Sequence, residues 1–274
     1  MGNIAPAITP PSARAELLVL LVVAWVAFVS IPLGLGGIGL SWDALNHHVY
    51  LGWIAENPRF DRDFLAASYQ SFQYPYLYWP FFKLYESGLS GQCAGVVLVS
   101  MNLAVVPALW MMARTCIPER SWYGSAMRFF SVALGFMGSV VLSMFDTTAN
   151  DLLAAIPLVW AVTLAIQPAD ADRTVRWTTW RLVALSGLCS GVAVAFKLSN
   201  GPLALLMPLL WALHGPTWKD RAANITLGSL ATCIGFVVVY APWGWQLWTH
   251  YGNPIYPFYD HWFALLRPWV GWQP

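Results

Sequence analysis

The apolar run from Ala15 to Leu35 sets the terms for the rest of the chain. It is about as long as the ~20 residues a helix needs to cross the ~30 Å of hydrocarbon in a bilayer. Six more apolar runs follow, near Cys93 to Ala113, Phe129 to Met144, Leu152 to Ile166, Leu182 to Phe196, Leu203 to Leu213 and Ile225 to Val239. The 274 residues are 58% hydrophobic and 10% charged, far from the ~25% charge of a soluble domain, so the solvent of these runs is lipid. The expected architecture is all-α: a polytopic membrane protein of about seven transmembrane helices forming one transmembrane domain over 1–274. Several runs fall short of ~20 residues and must recruit flanking Thr, Trp, Gly and Ser. A tail over 1–14, a first outer loop over 41–91 and a C-terminal outer segment over 241–274 complete the layout.

Composition also excludes functions. The net charge is +1 and no run of Lys or Arg forms a phosphate-tracking stripe, so a nucleic-acid partner is not expected. Cys93, Cys116, Cys189 and Cys233 show no metal-ligand or disulfide spacing and read as small apolar side chains. No cofactor is indicated, and neither is a divalent cation. The first run exceeds a signal-peptide h-region and lacks an A-x-A cleavage site, which predicts an uncleaved first helix.

Charge placement orients the spans. With a cytoplasmic N-terminus and every run crossing, Arg14, Arg114, Arg120, Arg128, Arg173, Arg176, Arg181, Lys219 and Arg221 share the cytoplasmic side, as the positive-inside rule asks. Merging Leu182 to Leu213 into one helix sends Lys219 and Arg221 to the other side. A hairpin with Lys197 to Pro202 as its outer turn is therefore preferred.

This orientation puts four polar stations on the outer side: SWDALNHHVY (Ser41 to Tyr50), FDTTANDL (Phe145 to Leu152), the Lys197 turn, and HYGNPIYPFYD (His250 to Asp260). Spans nearly free of charge argue for an interfacial site rather than a pore. In the first station a helix over Trp42 to Glu56, with Leu45, Val49, Trp53 and Ile54 on its apolar face, is expected to lie in the interface plane. Asp43 and His47, four apart, then share one face, with His48 and Tyr50 at its flanks. Asp43 is a candidate general base, and equally a helix cap among interfacial aromatics. His47 and His48 are candidates for orienting Asp43 or holding a phosphate oxygen, or are structural. Asp146 reads as a boundary residue. Asn150 and Asp151 open an apolar run, where Asp151 either caps or serves a site. Lys197, at the edge of hydrocarbon, either snorkels or meets an anion. In QYPYLYWPFFKLY, Pro75 and Pro80 are expected to break regular structure and the aromatics to form a belt.

Taken together, WDALNHH, Asn150-Asp151-Leu152, the Gly-rich approach GLCSGVAVAFKLSN to Lys197, and YGNPIYPFY resemble a bacterial membrane glycosyltransferase of the GT-C superfamily. That group includes the protein O-mannosyltransferases and aminoarabinose transferases. The resemblance covers most of the chain and departs from the W-D-x-L-x-Y-H pattern at His47, where Tyr is expected. It implies a sugar donor on a polyprenyl phosphate or diphosphate, attacked by a hydroxyl of a glycan, lipid or protein acceptor at the periplasmic face of the bacterial inner membrane. Asp43 would be the base and Lys197 would neutralise the leaving phosphate, helped by His48 or Arg62. Asp151 would support the site, with His47, Asn150, Asn253 and Tyr256 also binding substrate. Such enzymes carry a module of about seven helices followed by more, so the chain is expected to be an N-terminal module or a short member. Two rivals are a non-enzymatic lipid-linked saccharide flippase and a truncated inactive relative.

Overall fold

The computed structural model describes residues 9–63, 66–167 and 178–273. Arg173 and Arg176 lie outside the described residues. Helix α1 (Ala13–Leu35) starts at Ser12, whose hydroxyl accepts from the Ala15 N–H, and stops at Gly36, where φ is 85°. Glycine adopts that left-handed geometry without a Cβ clash. A π-helical turn, Ala44–His48, runs directly into α2 (Val49–Ile54). After a four-residue extended segment, Ala66–Tyr69, a 3-10 turn (Pro75–Leu77) leads into α3 (Trp79–Glu86). Pro75 and Pro80 sit in the first turns of these elements. They therefore start helical structure where the sequence suggested they would break it, since a first-turn N–H has no partner to lose.

Helices α4 (Gly91–Asn102) and α5 (Val106–Cys116) form one continuous apolar segment. Next, α6 (Trp122–Phe136) and α7 (Ser139–Ser143) meet at a 70° bend. They are followed by α8 (Asp151–Ile166) and α9 (Thr179–Phe196). The run after Lys197 is broken into α10 (Gly201–Ala204) and α11 (Met207–Ala212), each with a proline in its first turn. The 34-residue α12 (Trp218–Tyr251) and a short α13 (Asp260–Leu266) complete the chain. Among the described residues four segments are long and apolar enough to cross a membrane, or five with the bent pair counted as one. The seven expected spans are reached only to that extent, because α8 has 16 residues and the α10–α11 stretch is interrupted by its prolines.

Side-chain contacts fix the direction of each helix. Trp110 reaches Glu16 while Gln92 reaches the Leu33 carbonyl, so α4–α5 runs antiparallel to α1. Arg128 pairs with Glu16, and Gly39 N–H donates to the Asp146 carbonyl, so α6–α7 runs parallel to α1. Lys197 meets Asp151 and Ser186 meets the Ala161 carbonyl, making α8 and α9 antiparallel. Trp211 Nε1 donates to Ser186 Oγ at 3.0 Å, so the chain reverses after Lys197, as the hairpin reading requires. Helices α9 and α12 run parallel in near backbone contact. Gly187 abuts the Gly228 carbonyl, Gly191 abuts that of Thr232, and Gly235 abuts Leu188, with no space for a Cβ at any of the three. Small residues at such spacing let membrane helices approach closely.

The result is a bundle with two chemically different ends. At one end Arg128, 4% exposed, forms a two-pronged ion pair with Glu16 at 2.7 Å and donates to the Ile117 and Glu119 carbonyls. At the other end lie all four polar stations, over a core of Leu51, Ile54, Phe72, Tyr78, Trp243 and Leu247. Trp243 Nε1 donates to the Phe72 carbonyl at 3.0 Å, tying the first loop to α12. The aromatics of that loop are core as much as belt, since Phe72, Tyr78, Phe81 and Phe82 are all buried.

Candidate functional site

The first station is helical as expected but presents a different face to the protein. Ala44, His47, His48, Leu51 and Ile54 are buried, whereas Leu45 is 68% exposed. Gly52 packs so closely on Tyr78 and Phe82 that a side chain there has no room. The reason lies across the chain. His48 Nδ1 and Thr148 Oγ1 are 2.6 Å apart, and the Tyr78 ring stacks on the His48 ring with centroids 4.8 Å apart. These contacts draw the histidine face inward in preference to the Leu45 face.

Asp43 does not cap this helix. The N-cap hydrogen bond to Ala44 N–H is made by the Ser41 hydroxyl at 3.2 Å. The Asp43 carboxylate is 56% exposed, with Oδ1 at 3.8 Å from His47 Nδ1. That nitrogen is buried and has no hydrogen-bond partner. A small approach would therefore close an Asp43–His47 hydrogen bond, since ~3.2 Å suffices. Burial lowers the pKa of His47 from its ordinary value. Burial, reinforced by the His47 neighbour, pulls His48 down to about 4. Both rings are therefore neutral near pH 7. The Tyr78 hydroxyl is pushed up by its burial and by the Asp151 and Asp43 carboxylates.

The second and third stations meet directly. Asp151 at the start of α8 makes an ion pair with Lys197 at the end of α9. Asn150, at the N-cap of α8, makes no side-chain capping bond, and Lys197 has a carboxylate partner within the protein. Asp151 and Lys197 are each only partly buried, with 33% of the Lys197 side chain exposed. Asn200 holds the turn by donating to the Ala193 and Ala154 carbonyls at 2.9 and 3.1 Å. Asp43 lies 3.8 Å from His47, whose ring packs edge-on to that of His48 with centroids 4.4 Å apart. The first station, Tyr78 and Thr148 thus meet at one imidazole, that of His48.

Beside this cluster is a cavity of about 150 Å³. Lys197 and Asn150 line one side, and Tyr74, Phe196, Tyr240 and Tyr256 supply aromatic walls. Tyr74 stacks between Phe196 and Tyr240, each centroid 6.0 Å away. Asn150 is 5% exposed and its Oδ1 has no hydrogen-bond partner. Apolar concavities with a few convergent polar groups are the usual form of a small-molecule site.

The remaining predicted residues divide. Tyr256 lines the cavity and stacks on Tyr251 at 4.3 Å. Asn253 is fully buried and occupied. It donates to the Phe258 carbonyl and the Asp260 carboxylate and accepts from Ile255 N–H, so it builds the turn that carries Tyr256. Arg62 is 74% exposed beside Asp61 and is not among the residues lining the cavity. Four site residues went unremarked in the sequence. Tyr78 and Tyr74 were hidden among belt-like aromatics, and Tyr240 in an apolar run. Thr148 stands two residues before Asn150 in a station already singled out. Among the described residues no three His, Cys, Asp or Glu side chains gather in a metal-holding group. Compared with protein-family models, curated proteins and solved structures, the chain matches none.

Proposed function

We propose that the chain is a membrane glycosyltransferase of the GT-C kind, moving a sugar from a polyprenyl-phosphate donor to an acceptor hydroxyl at the outer face of a bacterial inner membrane. The Asp151–Lys197 ion pair beside an aromatic cavity, with Asp43 3.8 Å from His47 and the His47 ring packed on His48, carries this reading. Alternating helix directions support seven crossings, with the Arg-rich end cytoplasmic, in accord with the positive-inside rule.

In this reading the acceptor hydroxyl gives its proton to Asp43 as its oxygen bonds to the anomeric carbon. The bond from that carbon to the phosphate oxygen breaks, and polyprenyl phosphate leaves with the electron pair. Lys197 stabilises that developing charge. Its ammonium has three donors, so bonding to Asp151 leaves others for phosphate, and the interaction is strengthened where lipid and aromatics exclude water. Neutral His47 stands 3.8 Å from the Asp43 carboxylate, and His48 is a structural pivot.

The purified protein, incubated with polyprenyl-phosphate monosaccharides and a periplasmic acceptor extract, is expected to release free polyprenyl phosphate and label an acceptor. Facilitated movement of the intact donor across vesicles, with no cleavage, would instead establish a flippase.

A further inference from the structure

Two hydrogen bonds tie the first polar station to the second. One joins backbones, from Gly39 N–H to the Asp146 carbonyl at 2.5 Å. The other joins side chains 100 residues apart, His48 and Thr148, with Nδ1 and Oγ1 separated by 2.6 Å. Both side chains are buried. A valine fills the space of a buried threonine with no polar group to desolvate, so packing alone does not call for the hydroxyl. Stacking on Tyr78, with 25° between the rings, holds the plane of the His48 imidazole but lets it turn within that plane. The bond to Thr148 stops that rotation. Because a hydroxyl both donates and accepts, it partners Nδ1 in either tautomer.

On one side of this bond, the His47 ring packs edge-on to His48 and its Nδ1 stands 3.8 Å from the Asp43 carboxylate. On the other, Ala154 N–H donates to the Asn150 carbonyl at 2.8 Å, so α8 is already engaged two residues after Thr148. The first residue of α8 is Asp151, the partner of Lys197. We infer that Thr148 is a positioning residue for sugar transfer, whose hydroxyl acts through His48 to set the separation of Asp43 from Lys197. This inference rests on the glycosyltransferase reading above. Misplacing a reacting group by ~1 Å slows a reaction about 100-fold, whereas holding the lipid phosphate needs Lys197 alone. The hydroxyl therefore governs the rate of transfer and not the affinity for the lipid.

The test compares wild type, Thr148→Val and Thr148→Ser as full chains in detergent. Two quantities are measured: single-turnover transfer from bound decaprenyl-phosphate mannose, glucose or arabinose to a periplasmic acceptor extract, and the Kd for sugar-free decaprenyl phosphate. Thr148→Val is expected to transfer about 10–100-fold more slowly with an unchanged Kd, and Thr148→Ser, which keeps the hydroxyl, to recover most of the rate. Thr148→Ala takes the place of the valine variant if that protein does not fold, since it removes the same hydroxyl and adds no bulk. His48→Phe keeps a ring against Tyr78 but removes the nitrogen, so combining it with Thr148→Val is expected to slow transfer no further than the slower single variant. A wild-type rate in Thr148→Val overturns the inference, and so does a serine variant as slow as the valine one. A rise in Kd that matches the loss of rate, or losses that multiply in the double variant, also overturns it. A wild type that transfers none of the sugars overturns the glycosyltransferase reading itself, and the inference falls with it.

Discussion

Acidification to pH 5 is expected to destabilise this protein chiefly through His48. The ring is 5% exposed, within hydrogen-bonding distance of Thr148, and stacked on Tyr78. Burial brings its pKa from 6.5 to about 4. The native state thus resists a proton that the unfolded chain accepts freely. A depressed histidine pKa contributes stability that is fully present above pH 6.5 and is lost as pH falls toward 4. At pH 5 the unfolded ring is nearly all charged and the folded ring nearly all neutral, a difference of about 2 kcal/mol. For a chain of this size that lowers Tm by roughly 4–8 °C. His47, shifted in the same direction by its burial, adds to the effect. The assay is thermal unfolding in detergent at pH 7.5, 6.5, 5.5 and 5, comparing the wild type with His48→Gln, which does not titrate. The variant is expected to be less stable at pH 7.5 but to show a flatter pH profile. Parallel profiles for the two proteins would refute the argument that His48 is buried neutral.

Three other outcomes follow from the same geometry. Removing Glu16 (Glu16→Leu) leaves Arg128 buried without its carboxylate and is expected to cost about 3–5 kcal/mol, seen as a large fall in Tm, while the distant cavity keeps its ligand affinity. Gly191→Val drives a side chain into the Thr232 backbone where α9 meets α12. The expected penalty is about 1–3 kcal/mol or more, with weakened decaprenyl phosphate binding because the displaced α9 carries Lys197. Lys197→Gln is expected to raise the Kd for decaprenyl phosphate about 10–100-fold, the value of one charge-assisted hydrogen bond. An unchanged Kd would place the phosphate elsewhere.

The elements of the bundle were largely legible because apolar runs and turn residues are local signals. Ala15 to Leu35 became α1, and the Lys197 turn reversed the chain. Span number was harder to read, since Pro202 and Pro208 divide one run into α10 and α11. The site was legible as a list of residues but not as a set of bonds. Asp43 and His47 are four apart, so helical spacing alone brought them together. Lys197 and Asp151 are 46 residues apart, and each had an adequate solitary explanation. Periodicity chose Leu45, Val49, Trp53 and Ile54 as the apolar face of the first station, and of these Ile54 is fully buried. It could not weigh Thr148 and Tyr78, distant partners that turn the histidines inward. Asn253 was conspicuous for the same reason that it is structural, because a turn of Gly, Asn and Pro needs an amide to close it.

The central claim is that Asp43 takes the acceptor proton within a site completed by Asp151 and Lys197. Its most direct test is single-turnover transfer from a bound polyprenyl-phosphate sugar by Asp43→Asn, alongside donor affinity and Tm. Because Asp43 neither caps the helix nor lines the cavity, the account predicts a transfer rate lowered by about 100-fold or more, with donor affinity and Tm close to wild type. A rate within a few-fold of wild type would contradict it.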